Sequence, residues 1–319
     1  MNWCENRLTI TAKSVCIDVM LEWVTGSTVP SYRHAVLQGI QFFLAGCAGI
    51  LRPVTLTSFP ACEQLVRHGT GLATDGNKAY EQWLTLLGEN VFLTSDHLKT
   101  LAQLYQRSGL ESKTWDMFPP AARSIMTGLM QRQADEWFCP VNFDPEQGIT
   151  DGGPYWEYLQ TYPQQSRPCD LLMILPSRLG SEISGNSALL SGVAETQELY
   201  ACIHGTPLPA GQNVNWQRDD INRLVVTFDT QWAPPSGEVT GELSSKFEAE
   251  VRHSFSETVN RIHGYNCYDQ GDHVDSRRSP PDGEESGRIH VFPPVDEPQP
   301  EPPAPTAEAE HRTYDQRRG

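Results

Sequence analysis

The sequence predicts an α+β protein in which a small βαββαβ sheet domain is split by a large, mainly helical insertion. Two segments carry this reading. Near the start, Asn2-Trp3-Cys4-Glu5-Asn6-Arg7-Leu8-Thr9-Ile10-Thr11-Ala12 alternates apolar and polar residues, and far downstream Leu224-Val225-Val226-Thr227-Phe228-Asp229-Thr230-Gln231-Trp232 does the same. The long stretch between them has the texture of helices. Each element follows from local chemistry.

After the first strand, Ser14 can cap a helix with Cys16, Val19, Met20 and Trp23 on one stripe, and Gly26 is its natural stop. The run Ala35–Leu51 is apolar but is interrupted by Gln38 and Gln41 and softened by three glycines. It is too short to span a bilayer and has no anchoring flanks. A buried helix leading into a second strand at Ile50–Thr57 is expected, with Pro53 pushing that strand toward an edge.

From residue 58 to 216 the apolar spacing turns helical. Asn77 can cap a helix carrying Tyr80, Trp83, Leu84 and Leu87; Thr94 or Ser95 can cap one carrying Leu98, Leu101 and Tyr105, ending at Gly109. Pro119-Pro120 can open a third, with Ile125, Leu129 and Met130 as its stripe. Shorter helical pieces are expected at Tyr155–Tyr162, Leu171–Leu179 and Thr196–His204. Trp83, Trp115, Trp137 and Trp156 are expected to anchor a core.

The third strand, Leu224–Asp229, is stopped by Trp232-Ala233-Pro234-Pro235. Ser236 can cap a helix with Val239, Leu243 and Phe247 in register. A fourth strand alternates Val251, His253 and Phe255, and a further one runs from about Gly264 to Gln270. Beyond residue 275, nine of the chain's 24 prolines fall in 44 residues with few large apolar groups, which predicts a disordered tail. The expected organisation is residues 1–57 and 217–275 as two parts of one sheet domain, 58–216 as the insertion and 276–319 as the tail.

Without the insertion the order is the βαββαβ ferredoxin-like plait, an antiparallel sheet. In that topology the first and third strands are adjacent and central. Trp3, Cys4, Glu5, Asn6 and Arg7 should therefore meet Asp229, Thr230, Gln231 and Trp232 at one rim of the sheet.

The opening Asn2-Trp3-Cys4-Glu5-Asn6-Arg7-Leu8, the segment Ala48-Gly49-Ile50-Leu51-Arg52-Pro53 and the block Phe228-Asp229-Thr230-Gln231-Trp232-Ala233-Pro234-Pro235 resemble the YubB-type ferredoxin-like family of plasmids, phages and integrative elements. Many relatives carry Trp-Gly-x-Lys-Trp before the third strand and Glu-Pro-Gly after the fourth. This chain has Asn215-Trp216 and Glu257-Thr258-Val259 there. The resemblance implies a fold and a mobile-element setting, and no reaction.

Composition narrows the function classes. Net charge is −16, and 31 acidic against 18 basic residues remain when the tail from residue 276 is set aside. Binding to a phosphate backbone draws on Lys and Arg, so unaided nucleic-acid binding is not expected. An acidic body can instead imitate nucleic acid toward a basic partner. The open sheet face would carry Arg7, Thr9, Thr11, Val225, Thr227 and Asp229, with no aromatic pair for stacking bases. Eight cysteines without a Cys-x-x-Cys pair, and no leader-like start, point to free thiols in a reducing cytoplasm.

No phosphate loop, nucleophile elbow, zinc-protease helix or dinucleotide fingerprint occurs. His68-Gly69-Thr70-Gly71 resembles an oxyanion loop but reads as a turn. His253, His263, Cys267, Asp269, Asp272 and His273 could gather round a divalent metal, although their spacing is loose. At the rim, Cys4 could be a nucleophile if Arg7 lowered its pKa with Asp229 or Glu5 as base. The alternative is a rim that plugs the sheet end with Trp3 and Trp232 and offers a binding surface. The resulting expectation is a cytoplasmic accessory protein that contacts another protein, with no cofactor, no metal, no direct nucleic acid and no membrane.

Overall fold

The computed structural model describes residues 2–137, 149–161, 165–257, 259 and 261–279. Strand β1 (Trp3–Thr11) leads into helix α1 (Ser14–Thr25), which Gly26 ends in a left-handed conformation. Then come α2 (Ser31–Cys47), α3 (Asp75–Gly88), α4 (Ser95–Ser108), α5 (Pro120–Arg132), α6 (Ala134–Trp137), α7 (Gly153–Gln160), α8 (Leu179–Ser184) and α9 (Thr196–His204). The chain returns to the sheet with β2 (Gln212–Asp220) and β3 (Arg223–Gln231), followed by α10 (Gly237–Lys246), β4 (Glu250–Glu257), β5 (Ile262–Asp269) and β6 (Asp272–Arg278).

The sheet order is β2-β3-β1-β4-β5-β6, with every neighbouring pair antiparallel. Its first four strands form the ferredoxin-like plait, and β5 and β6 extend it. Strand β1 is central: Leu8 lies opposite Val226 on β3 and opposite His253 on β4. Burial alternates along β1, so Cys4, Asn6, Leu8 and Ile10 face the helices and Trp3, Glu5, Arg7, Thr9 and Thr11 face the other way.

The interruption falls earlier than the sequence suggested. Residues 50–57 form no strand; the second strand of the plait is Gln212–Asp220, which straddles the expected boundary at 216. The physical reason lies in where the backbone donors go. The end of α2 is closed by Gly49 at φ 73°, and Ile50 and Leu51 both donate back to the Ala45 carbonyl. Arg52 N–H donates to Asn77 Oδ1, and the N–H groups of Val54 and Thr55 donate to the Glu81 carboxylate. Side chains of α3 take the bonds a neighbouring strand would need. A second shift is at the other end: β6 runs through Arg278, so residues 276–278 belong to the sheet rather than to a tail. The remainder of that expected tail, from residue 280, lies outside the described residues.

Two hydrophobic cores result. One lies under the sheet, where Leu8, Ile10, Leu224, Val226, Phe228 and Val251 pack on Ile17, Met20, Trp23 and Val24 of α1 and on Val239 and Leu243 of α10. Val19, expected on that stripe, is instead half-exposed; the buried face is Ile17, Met20, Trp23 and Val24. The other core is built round α2, where Phe42 stacks on Trp83 at 5.1 Å between ring centroids and Phe43 meets Trp137 edge-on. Trp83, Trp115, Trp137 and Trp156 are all buried in it, as their spacing predicted. The cores are joined by the segment around Asp170: Cys169, Leu171 and Ile174 pack under the sheet, and the Asp170 carbonyl accepts from Trp23 Nε1 at 2.8 Å.

Among the described residues, no helix is long and apolar enough to cross a membrane.

Candidate functional site

The rim assembles as topology required. Trp3 lies opposite Gln231, Cys4 opposite Thr230, Glu5 opposite Asp229 and Arg7 opposite Thr227. Trp232 follows, its N–H donating to the Asn2 carbonyl at 2.9 Å. The rim residues expected from the sequence are therefore gathered at one end, but on two faces with different chemistry.

Cys4 and Asn6 point under the sheet. Cys4 is fully buried, and desolvation first, then the neighbouring Glu257 charge, pushes its thiol up to about 12. Arg7 has the opposite side-chain parity to Cys4 on β1 and does not lower its pKa. The nucleophile reading of Cys4 is thus corrected: a thiol held so far above neutrality is not the attacking thiolate. Asn6 is a structural hub. Its Nδ2 donates to Cys4 O (2.9 Å) and Thr230 Oγ1 (2.8 Å), and its Oδ1 accepts from His253 Nε2 at 3.0 Å. The other ring nitrogen of His253 faces Thr240 Oγ1 at 3.4 Å. Burial alone lowers the His253 pKa to about 4, which keeps the imidazole neutral.

The loose collection of candidate metal ligands is spread over both faces of the sheet. His253 lies under the sheet; Cys267 and His263 share the opposite face with the rim; His273 packs edge-on against Tyr268 at 5.3 Å. Strand parity separates the candidate ligands, and among the described residues no group of three His, Cys, Asp or Glu side chains could hold a metal. His68 serves a turn: its Nε2 lies 3.0 Å from the Cys47 carbonyl, and Gly69 has φ 69°.

The open face is where the rim meets solvent. Glu5 and Asp229 stand directly opposite each other there, two like charges in one cross-strand pair. Asp229 is held by Asn213 Nδ2 at 2.8 Å, and Glu5 is exposed. Further along the same face Arg252 lies over the Tyr265 ring at 4.7 Å, and Tyr265 donates to Asp275 at 2.9 Å. Trp232 is 56% exposed and sits at φ 69°. Holding a non-glycine residue in that region costs roughly 1–3 kcal/mol. The conformation is fixed by Trp232 N–H on Asn2, by Ala233 N–H on the Gln231 carbonyl and by Thr230 Oγ1 donating to Ala233 O at 2.7 Å.

Sequence reasoning placed the rim but missed Asn213, which comes from the unexpected strand β2, and the Arg252–Tyr265 contact, which depends on the β4–β5 register. It also missed a polar cluster at the junction of the two cores. There Tyr32 donates to Asp170 at 2.6 Å, Arg33 lies 3.7 Å from the same carboxylate, and Tyr200 donates to Glu182 at 2.5 Å. Desolvation raises both carboxyl pKa values against the pull of these partners. No local pattern marks those residues, since they lie on separate elements brought together only by folding.

Comparison with known proteins fits this architecture. Residues 29–208 match the family described as protein of unknown function (DUF1281), and residues 211–288 match the ferredoxin-like domain in Api92-like protein. The chain belongs to the DUF1281 family. It is 30% identical over 170 residues to the uncharacterized protein YubA of Escherichia coli K12, covering 53% of this chain and 98% of YubA. It is 34% identical over 109 residues to the uncharacterized protein YubB of the same organism, covering 34% of this chain and 75% of YubB. A crystal structure of the protein api92 from Yersinia pseudotuberculosis superposes with a TM-score of 0.84 at 45% identity, over 91% of this chain and all of api92. The YubB-type resemblance holds. Strand β1 and helix α1 precede both matched spans, yet β1 is the strand that completes the ferredoxin-like sheet.

Proposed function

We propose that this protein acts by binding another protein through the open end of its sheet, with Trp232 as the anchor and the Glu5–Asp229 pair selecting a basic partner. The observation that carries this reading is Trp232 itself: a large aromatic side chain on a strained, hydrogen-bonded backbone that leaves 56% of it exposed. A lysine or arginine from a partner would relieve the repulsion between Glu5 and Asp229 and could lie against an indole. Tryptophan, tyrosine and arginine, which recur on this face, are the side chains that dominate protein interfaces. The chain's net charge of −16 favours the same class of partner. Given the family resemblance, we place the protein among accessory proteins of mobile genetic elements in the cytoplasm, acting on a host nucleic-acid-binding or defence protein rather than catalysing a reaction.

The test is a quantitative pull-down from a bacterial host with the full chain as bait, comparing wild type with W232A and with E5Q/D229N. A stoichiometric basic protein should be retained by wild type and lost, or reduced at least tenfold, with either variant. Retention unchanged by both variants would remove the rim from the interface.

A further inference from the structure

A second surface, remote in composition from the rim, carries an inference of its own. Val19 was expected to pack under the sheet and does not; with Val15 it lies on the outer face of α1. Val15, Asp18, Val19 and Glu22 are spaced i, i+3, i+4 and i+7 and are all exposed. That face is tied to the sheet edge by one ion pair, Arg218 Nη1 of β2 to Asp18 Oδ1 at 2.7 Å. The second guanidinium nitrogen of Arg218 donates to the Ile221 carbonyl at 2.7 Å. Trp216 precedes Arg218 by two residues on a regular stretch of β2 and so shares its face. Four large apolar side chains therefore surround one ion pair, with exposures of 65% for Val15, 50% for Val19, 48% for Trp216 and 61% for Ile221.

Such a grouping on an edge is a contact surface in search of cover. Its charge specifies the cover. Glu22 and Asp220 are exposed round it, whereas the two nearby cations are committed, Arg218 to Asp18 and Arg223 to Asp219 at 3.9 Å. A second copy of this chain would set these acids against their own counterparts across a two-fold axis, which is electrostatically unfavourable.

We propose that the outer face of α1 together with edge strand β2 is a docking surface for a segment of another protein that presents apolar side chains flanked by lysine or arginine. The apolar anchors are Val15, Val19, Trp216 and Ile221, and Glu22 and Asp220 receive the cations. The surface does not depend on the rim: it lies on the helix side of the sheet, whereas the Glu5–Asp229 pair lies on the open side.

The test uses the full-length protein and two synthetic 14-residue peptides, one of leucine and lysine in an amphipathic helical pattern, the other with glutamate in place of every lysine. Calorimetric titration should show binding of the lysine peptide only, weakening as salt is raised. The variant V19S/W216S, whose changed side chains are already exposed, should keep the wild-type circular dichroism and melting temperature and lose at least tenfold in affinity. W232A should bind the lysine peptide as wild type does, which separates this surface from the rim. Equal binding by wild type and V19S/W216S would overturn the proposal, as would equal binding of both peptides or no binding at all. Self-association of the wild type that V19S/W216S abolishes would also overturn it, by making a second copy the occupant.

Discussion

At the scale of single residues, chemistry turns on burial more than on identity. Cys4, Asn6 and His253 would read as a reactive group in a list of side chains, yet beneath the sheet they are a closed hydrogen-bonded network. Asn6 spends both its amide hydrogens and its oxygen internally, and His253 is bonded on both ring nitrogens. The consequence is a pH dependence with a definite sign. The His253 pKa is near 4 in the fold against an ordinary value of 6.5, so the unfolded chain binds the extra proton between those limits. Stability from this group is fully present above pH 6.5 and falls as pH drops toward 4, by about 3 kcal/mol at most. Denaturant titrations at intervals across that range should show the loss in wild type, and H253Q should flatten this acid limb while lowering stability at pH 7. An unchanged acid limb in H253Q would place the linkage elsewhere. The rim's assembly was legible in the sequence because parity and topology place residues; which face each side chain serves decided its role, and that needed the register.

At the scale of elements, the strands that the sequence revealed are the ones with a buried face. β1, β3 and β4 alternate because one side packs on α1 and α10. β2 and β6 escaped notice because edge strands need no apolar alternation: Gln212–Asp220 is largely exposed and every residue of β6 is exposed. The apolar run at residues 50–57 misled for the converse reason, being apolar enough for a strand while its donors were claimed by Asn77 and Glu81. What allows β6 to join is one glycine. A side chain on Gly264 would put its first carbon 2.3 Å from the Arg277 carbonyl and 2.9 Å from the Phe255 ring. G264V should therefore destabilise the protein by roughly 1–3 kcal/mol. In hydrogen exchange it should expose residues 272–278 while protection of β1, β3 and β4 is retained. Protection of β6 equal to wild type would mean that the hairpin tolerates the added bulk.

At the scale of the whole molecule, β1 and residues 212–278 share one sheet, and the helices between α1 and β2 build a second core, the two meeting at the segment around Asp170. Trp23 of the plait donates to the Asp170 backbone, and Tyr32 of α2 donates to its side chain, so a single residue touches both cores. The rim, the ordering of Trp232 by the Asn2 carbonyl and the Glu5–Asp229 pair all require β1 to lie beside β3 in the stated register. A cross-link tests this most directly. Thr9 and Val225 are opposite each other on the open face, whereas Val226 points under the sheet. Paired cysteines bridge only when their backbones are close and their side chains share a face. Peptide mapping after mild oxidation should find the T9C/V225C disulfide in high yield and none in T9C/V226C. A bridge in T9C/V226C alone, or in neither variant, would contradict the central place of β1 and the rim built on it.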